Sequence, residues 1–243
     1  LQKDRPFFYH LSEGTDQDAR QRFLDLEYVP NTWAIEPDLI PIHCTALQAG
    51  DFQRLKAAAG MVWSPLSNLL LYGHTADVAT AKAAGMLIAL GPDWSPSGSK
   101  NLLGELKIAR IVSDHHGGLF TPEELARMVT SAPARMLGWH GQLGTIERGL
   151  KADLLILDGS AADPYVQLID ARESDILAVT IDGRPRYGRL GFLDFDAKRQ
   201  ERIVVGGMDY SLDLTEVGDD PLGGLSLGTA IAKLTYEIGR AHV

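Results

Sequence analysis

The chain has 243 residues, 45% of them hydrophobic, enough to bury a full core in one large domain or two. A formal net charge of −9, with no Lys/Arg run and no basic-aromatic stripe, leaves nothing to neutralise phosphates and argues against nucleic acid as a partner. No apolar stretch approaches the ~18 residues needed to cross a bilayer, and the single Cys44 excludes an internal disulfide framework and fits a reducing, cytoplasmic compartment.

Phe7-Phe8-Tyr9-His10 reads as an apolar strand that presents His10 at its end and Glu13 three residues later. The chain begins at Leu1 rather than Met and enters this strand at once, which predicts a preceding segment. Thr15 and Asp18 resemble a capping box, and Ala19, Phe23 and Leu26 fall at helical spacing, predicting a helix over 16–27. Pro30, Pro37 and Pro41 break the chain before and into a second run, Leu39–Ile42, which ends at His43. Cys44 follows that end and reads as a small buried residue rather than a nucleophile. A helix over 51–59, with Phe52 and Leu55 inward, is stopped by Gly60. The third run, Gly60–Trp63, ends in Ser64-Pro65-Leu66-Ser67-Asn68. An Ala-rich helix over 75–84, closed by Gly85, leads to the fourth run, Met86–Leu90, and to Asp93.

These units recur at intervals of roughly 20–35 residues, which fits right-handed βαβ crossovers in a parallel sheet. The strands lack a purely polar face, as expected of a sheet covered on both sides. A Ser/Gly/Pro loop, Trp94–Lys100, precedes a helix over 102–112. Thr121-Pro122-Glu123-Glu124 is a helix start with an N-cap, a first-turn Pro and a box Glu, and 132–137 adds a short helix. From Gly144 the composition changes. Strands at 152–157, 176–181, 185–187, 203–205 and 210–214, with an Asp182-Gly183 hairpin turn, and a helical tail over 228–238 describe a β-rich unit. The expected division is 1–141 and 142–243.

Side chains at the same end of successive parallel strands converge, and in barrels that end carries the chemistry. His10, Glu13, His43 and Asp93 therefore form a candidate metal-hydrolase site. Each has an ordinary alternative. His43 could be a hydrogen-bonded structural residue, Glu13 a charge favoured at a helix N-terminus, and Asp93 the start of a turn or a cap. Ser67 and Asn68 read as braces of the strand-end turn. Trp63, Trp94, Ser97 and Lys100 are expected on loops at the active end. His74, His115, His116, His140 and His242 face no partner in the sequence and default to solvent, His115-His116 lying between helices.

In order along the chain, His10-Leu11-Ser12-Glu13, Ile42-His43, Ser64-Pro65-Leu66-Ser67-Asn68-Leu69, Leu90-Gly91-Pro92-Asp93 and Leu143–Leu154 resemble five motifs of the amidohydrolase superfamily, within its deaminase and chlorohydrolase branch. The chain departs at two places, with Ser64 where the family has Asn and Pro92 where it has Thr. The resemblance covers residues 7–188. It implies an α/β fold made of the C-terminal half of a (β/α)8 TIM barrel, followed by part of an accessory β-sandwich. It also implies that the first half, carrying the family's His-x-His metal pair, belongs to the same protein, because no His-x-His occurs here.

By the same resemblance His10 and Asp93 are ligands of one divalent metal ion, with zinc first and iron or manganese as alternatives. Glu13 shuttles a proton, His43 holds the attacking water or polarises the reacting carbon's substituent, and Asp93 takes the water's proton. The implied activity is hydrolytic deamination of an aminated heterocycle through a metal-bound hydroxide, with a small-molecule substrate. Release of chloride, or opening of an amide or cyclic amide, is the alternative at the same site. A rival of another class is a non-catalytic structural or interaction module. A homo-oligomer is compatible with either.

Overall fold

Apolar runs of three to five residues cannot satisfy their own backbone polar groups, so they pair with one another. The computed structural model describes residues 5–215 and 226–241. It packs as two compact units, Leu1–Leu150 with Ala161–Asp170, and Lys151–Ser160 with Ala171–Val243.

The first unit opens with β1 (Phe7–Leu11) and α1 (Gln17–Leu24), whose N-cap is Asp16. A small hairpin of β2 (Glu27–Val29) and β3 (Thr32–Trp33) follows, then β4 (Leu39–His43) and α2 (Ala49–Leu55). Next come β5 (Met61–Trp63), α3 (Pro65–Tyr72), α4 (Val78–Ala83) and β6 (Ile88–Leu90). The unit continues through α5 (Leu102–His115), α6 (Pro122–Arg127) and α7 (Ser131–Met136). The four longer-range strands form one parallel sheet in the order β1-β4-β5-β6. Its register sets Leu11 opposite His43, Ile42 opposite Val62 and Trp63 opposite Leu90, so the C-terminal ends of the strands lie along one rim. Ile40, Leu55, Met61, Trp63 and Leu106 are among the wholly buried side chains of its core.

Several elements differ from the sequence expectation for identifiable reasons. The strand-end turn expected at Ser64–Leu69 is the start of α3, with Ser64 as its N-cap. Pro65 sits in the first turn of α3, where its missing N–H costs nothing, and Gly73 at φ 62° ends the helix. The helix expected over 75–84 shrinks to α4, started by the Asp77 side chain on the Thr80 N–H. Trp63 lies inside β5 and is wholly buried rather than on a loop. His115 belongs to the last turn of α5 and His116 is its C-cap, instead of lying between helices. β1 is not covered on both faces. Phe7 is 57% and Phe8 51% exposed, because β1 is an edge strand paired only with β4 among the described residues.

The second unit holds β7 (Leu154–Leu157), and the chain returns to the first unit for α8 (Pro164–Asp170), which packs on α5 and α6. The sheet is completed by β8 (Ile176–Ile181), β9 (Arg184–Arg189), β10 (Glu201–Val205) and β11 (Met208–Leu212). All pairs are antiparallel, in the order β10-β11-β9-β8-β7. The β8–β9 turn has Asp182 at φ 51° and Gly183 at φ 76°, the backbone that an Asp-Gly hairpin turn requires. Tyr187 and Tyr210 stack with ring centroids 4.9 Å apart. The terminal helix α9 (Leu227–Ala241) starts where the Glu201 carboxylate accepts from the Leu227 N–H. No helix among the described residues is long and apolar enough to cross a membrane.

Candidate metal centre

Four of the six non-glycine residues at positive φ among the described residues sit on the C-terminal rim of the parallel sheet: Ser12 (51°), His43 (69°), Cys44 (57°) and Asp93 (62°). L-residues adopt this region at a cost, and such strain clusters where the surrounding structure forces a side chain into a working position. Here it turns the chain at the ends of β1 and β4 and in the loop after β6. His10, near the end of β1, His43, closing β4, and Asp93, three residues past β6, each offer one ligand atom, and these atoms lie within 4.8 Å of one another. Two imidazoles and a carboxylate suit zinc, iron(II) or manganese(II). The His10 and His43 rings are 5.2 Å apart by centroid. Glu13 joins them, with Oε2 3.5 Å from His43 Nε2. All four residues expected at the site are thus brought together.

The loop that carries Glu13 is fixed by Thr45. Its hydroxyl accepts from the Gly14 N–H at 2.8 Å and lies 3.0 Å from the Ser12 carbonyl and 2.7 Å from the Gly14 carbonyl. Asp93 is fixed from α3, where the Ser67 hydroxyl donates to its Oδ2 at 2.5 Å and contacts Ser97 Oγ at 2.9 Å. Ser97 is buried within a loop that folds back on itself. A Cβ on Gly98 would fall 1.5 Å from the Pro92 carbonyl oxygen, so only glycine allows this close approach. His43 is fixed by Asn68, whose side-chain amide meets Nδ1 at 3.0 Å. Ser67 and Asn68 therefore brace the two flanking rim residues themselves as well as the turn.

His43 is 1% exposed, and its Nε2, without a hydrogen-bond partner among the described residues, points into the cluster towards Glu13. Burial lowers its pKa, against the pull of the Glu13 and Asp93 carboxylates, while His10 lowers it further, so the neutral imidazole is favoured. Burial pushes the Cys44 thiol up, in keeping with a small buried residue.

Two residues escaped the sequence reading. Tyr72, in the last turn of α3, donates its hydroxyl to Glu13 Oε1 at 3.0 Å, and burial followed by that carboxylate raises its pKa. Glu105, on α5, is wholly buried. Burial pushes its carboxyl to about 7, against the stabilising Ser99 hydroxyl at 3.2 Å and the Leu66 backbone N–H, and the Asp93 charge adds to the rise. Tyr72 was findable only once α3 was known to be a helix. Glu105 carries no signal, because a Glu in the first turn of a helix is ordinary on a surface.

Trp94 is 64% exposed, and Lys100, His74, His115, His116 and His140 are exposed and outside the cluster. His242 lies outside the described residues. A groove bounded by Lys82, Met86, Phe120, Glu124 and Met128 opens beside the N-terminal end of β6, not at this rim.

Residues 25–186 match a family model described as "Amidohydrolase family", two thirds of the chain. The chain belongs to the amidohydrolase family. The 5-methylthioadenosine/S-adenosylhomocysteine deaminase of Acetivibrio thermocellus is 28% identical over 187 residues, which cover 71% of this chain and 43% of the relative. An S-triazine hydrolase of Gordonia rubripertincta is 26% identical over 154 residues, covering 61% of this chain and 32% of the relative. An adenosine deaminase from Xanthomonas campestris, solved with bound zinc, superposes with a TM-score of 0.64 at 24% identity over 79% of this chain and 48% of its own. That likeness is one of fold, and the amidohydrolase fold is that of the TIM-barrel class. The chain spans less than half the length of each of these relatives.

Proposed function

We propose that this amidohydrolase chain carries the second half of a metal-dependent hydrolase site, and that the reaction is hydrolytic deamination of an aminated heterocycle. The observation that carries the reading is the meeting of His10, His43 and Asp93 within 4.8 Å, with Glu13 3.5 Å from His43. His10 and Asp93 hold a divalent metal, zinc first. Such an ion, when bound, acts as a Lewis acid and brings the pKa of a coordinated water towards neutrality.

The protein side chains do the rest. Glu13, reaching the cluster from the β1–α1 loop, moves a proton to the ring nitrogen or leaving group of the substrate. Asp93, its Oδ2 already accepting from Ser67, takes the proton of the attacking water on its remaining lone pairs. His43 orients the attacking oxygen from the buried side. The names of the curated relatives, deaminases of adenosine-type substrates and an S-triazine hydrolase, support a nitrogen heterocycle. The triazine relative also keeps the second reading in play, displacement of another leaving group, such as chloride, at the same centre.

The barrel reading completes the picture. The exposed edge strand β1 and the coverage of under half of each relative support a preceding polypeptide that supplies the other four strands and a His-x-His pair. In this reading residues 1–141 are barrel and 142–243 an accessory domain whose antiparallel sheet contributes to a β-sandwich. The test is a metal assay on the full natural polypeptide, joined to a screen of aminated and halogenated heterocycles for ammonia or chloride release. Near-stoichiometric metal and ammonia release are expected. Turnover that survives prolonged chelation would refute the metal reading, and chloride release without ammonia would select the second.

A further inference from the structure

Behind His43 runs a line of polar side chains that the reaction does not explain. Trp63 Nε1 is 2.7 Å from Thr75 Oγ1, Thr75 Oγ1 is 3.4 Å from Asn68 Oδ1, and the Asn68 amide nitrogen is 3.0 Å from His43 Nδ1. An indole N–H can only donate. The Asn68 amide, with its oxygen turned to Thr75 and its nitrogen to His43, sets the direction of the line. The Thr75 hydroxyl accepts from Trp63 and is left to donate onward, the Asn68 carbonyl accepts, and its NH2 faces His43 as a donor. In that arrangement Nδ1 is the acceptor nitrogen, and in the neutral ring the proton sits on Nε2.

We propose that Trp63, Thr75 and Asn68 are positioning residues that hold His43 in its Nε2-protonated tautomer, with Nε2 presented to the cluster as a donor. The proposal rests on the metal-hydrolase reading for its consequence, though not for the tautomer. Three observations meet in it. A ligating histidine must turn a lone pair to the metal and usually donates its other N–H to a carboxylate, carbonyl or water; His43 has an NH2 group at that second nitrogen. Nε2 is buried, has no hydrogen-bond partner among the described residues and is aimed at the cluster, as befits a donor awaiting an acceptor that comes with substrate. The Glu13 carboxylate lies 3.5 Å from Nε2, an acceptor that an Nε2 proton tolerates and a lone pair would repel.

The consequence reaches the substrate. The atom that sits against Nε2 must carry a lone pair, as the attacking oxygen or a ring nitrogen does. A protonated amine there would meet a second donor.

Long-range nitrogen–proton spectra of histidine-labelled full natural polypeptide, recorded metal-free and with added Zn²⁺, test this. The expected wild-type result is protonated Nε2 and unprotonated Nδ1 in both states, with zinc perturbing His10 and leaving the His43 Nε2 proton in place. Thr75→Val should let the Asn68 amide rotate and give mixed tautomers, whereas Thr75→Ser restores the single form. Asn68→Asp should draw the proton to Nδ1, free the Nε2 lone pair and tighten zinc binding about 10-fold, measured by chelator competition, as an added ligand would. A lone pair on Nε2 in the metal-free wild type overturns the proposal, as does loss of its proton on zinc addition or an unchanged single tautomer in Thr75→Val. Should Thr75→Val fail to fold, the wild-type spectra and Asn68→Asp decide. A wild type that binds no zinc overturns the metal reading alone, since the metal-free tautomer still judges the relay.

Discussion

The ends of β4 and β1 each present a histidine, and the two are held in opposite ways. His43 is buried on an inner strand, with Asn68, Thr75 and Trp63 behind it. His10 is exposed on an edge strand whose outer neighbours Phe7 and Phe8 face solvent. The carboxylates divide the same way, Asp93 being tied into a buried serine pair and Glu13 resting under a single tyrosine. One flank of the cluster is therefore braced from inside the sheet, and the other lies on an edge strand paired with β4 alone among the described residues.

Mutations on the two flanks should separate along this line. The largest effect is expected for Asp93→Ala, which should abolish both metal retention and turnover, read by metal analysis and ammonia release. Glu13→Gln should keep the metal and still lose turnover by ~10²–10⁴-fold, the usual scale for a general acid–base; full activity would remove Glu13 from the mechanism. Ser67→Ala should weaken metal affinity or activity by ~10–100-fold, as loss of an outer partner to a ligand does, and an unchanged affinity would mean that Asp93 needs no bracing. Tyr72→Phe deletes one hydrogen bond worth about 1 kcal/mol and should change turnover only a few-fold with metal content intact.

The smallest effect is a slope. Glu105 has its pKa pushed from an ordinary 4.5 to about 7 in the fold, chiefly by burial. Between those values Glu105 binds more protons in the folded chain than in the unfolded chain, so its contribution to stability is greatest below pH ~4.5 and falls as pH rises towards 7. Melting temperature across that window should fall more in the wild type than in Glu105→Gln, which has no proton to lose; parallel profiles would contradict the raised pKa.

Much of the first unit was legible because its signals are local. Apolar runs bounded by Gly and Pro marked β4, β5 and β6, and Thr121-Pro122-Glu123-Glu124 marked α6 through a cap that the structure contains in full. His10, Glu13, His43 and Asp93 were legible because each follows such a run, so their meeting needed only a parallel sheet in register. What escaped was long-range. α3 was hidden because Ser64-Pro65 looks like a turn until Pro65 is placed in a first helical turn. With α3 unread, Tyr72 had no route to Glu13, and neither Asn68 nor Thr75 could be set against His43. Glu105 is silent in sequence, since nothing nearby tells a buried carboxyl from a solvated one. The exposure of β1 depends on which neighbour a strand lacks, and no local pattern records that.

The row of positive-φ residues on the sheet rim also bears on how this protein could be hardened against heat. Glycine at Ser12 or Cys44 would relax a backbone that costs roughly 1–2 kcal/mol per L-residue in that conformation. The same exchange at His43 or Asp93 erases an imidazole or a carboxyl from the cluster. At His43 and Asp93 thermal engineering and chemistry thus compete for the same backbone position, whereas the antiparallel sheet, where Tyr187 and Tyr210 stack, lies far along the chain from any of these groups.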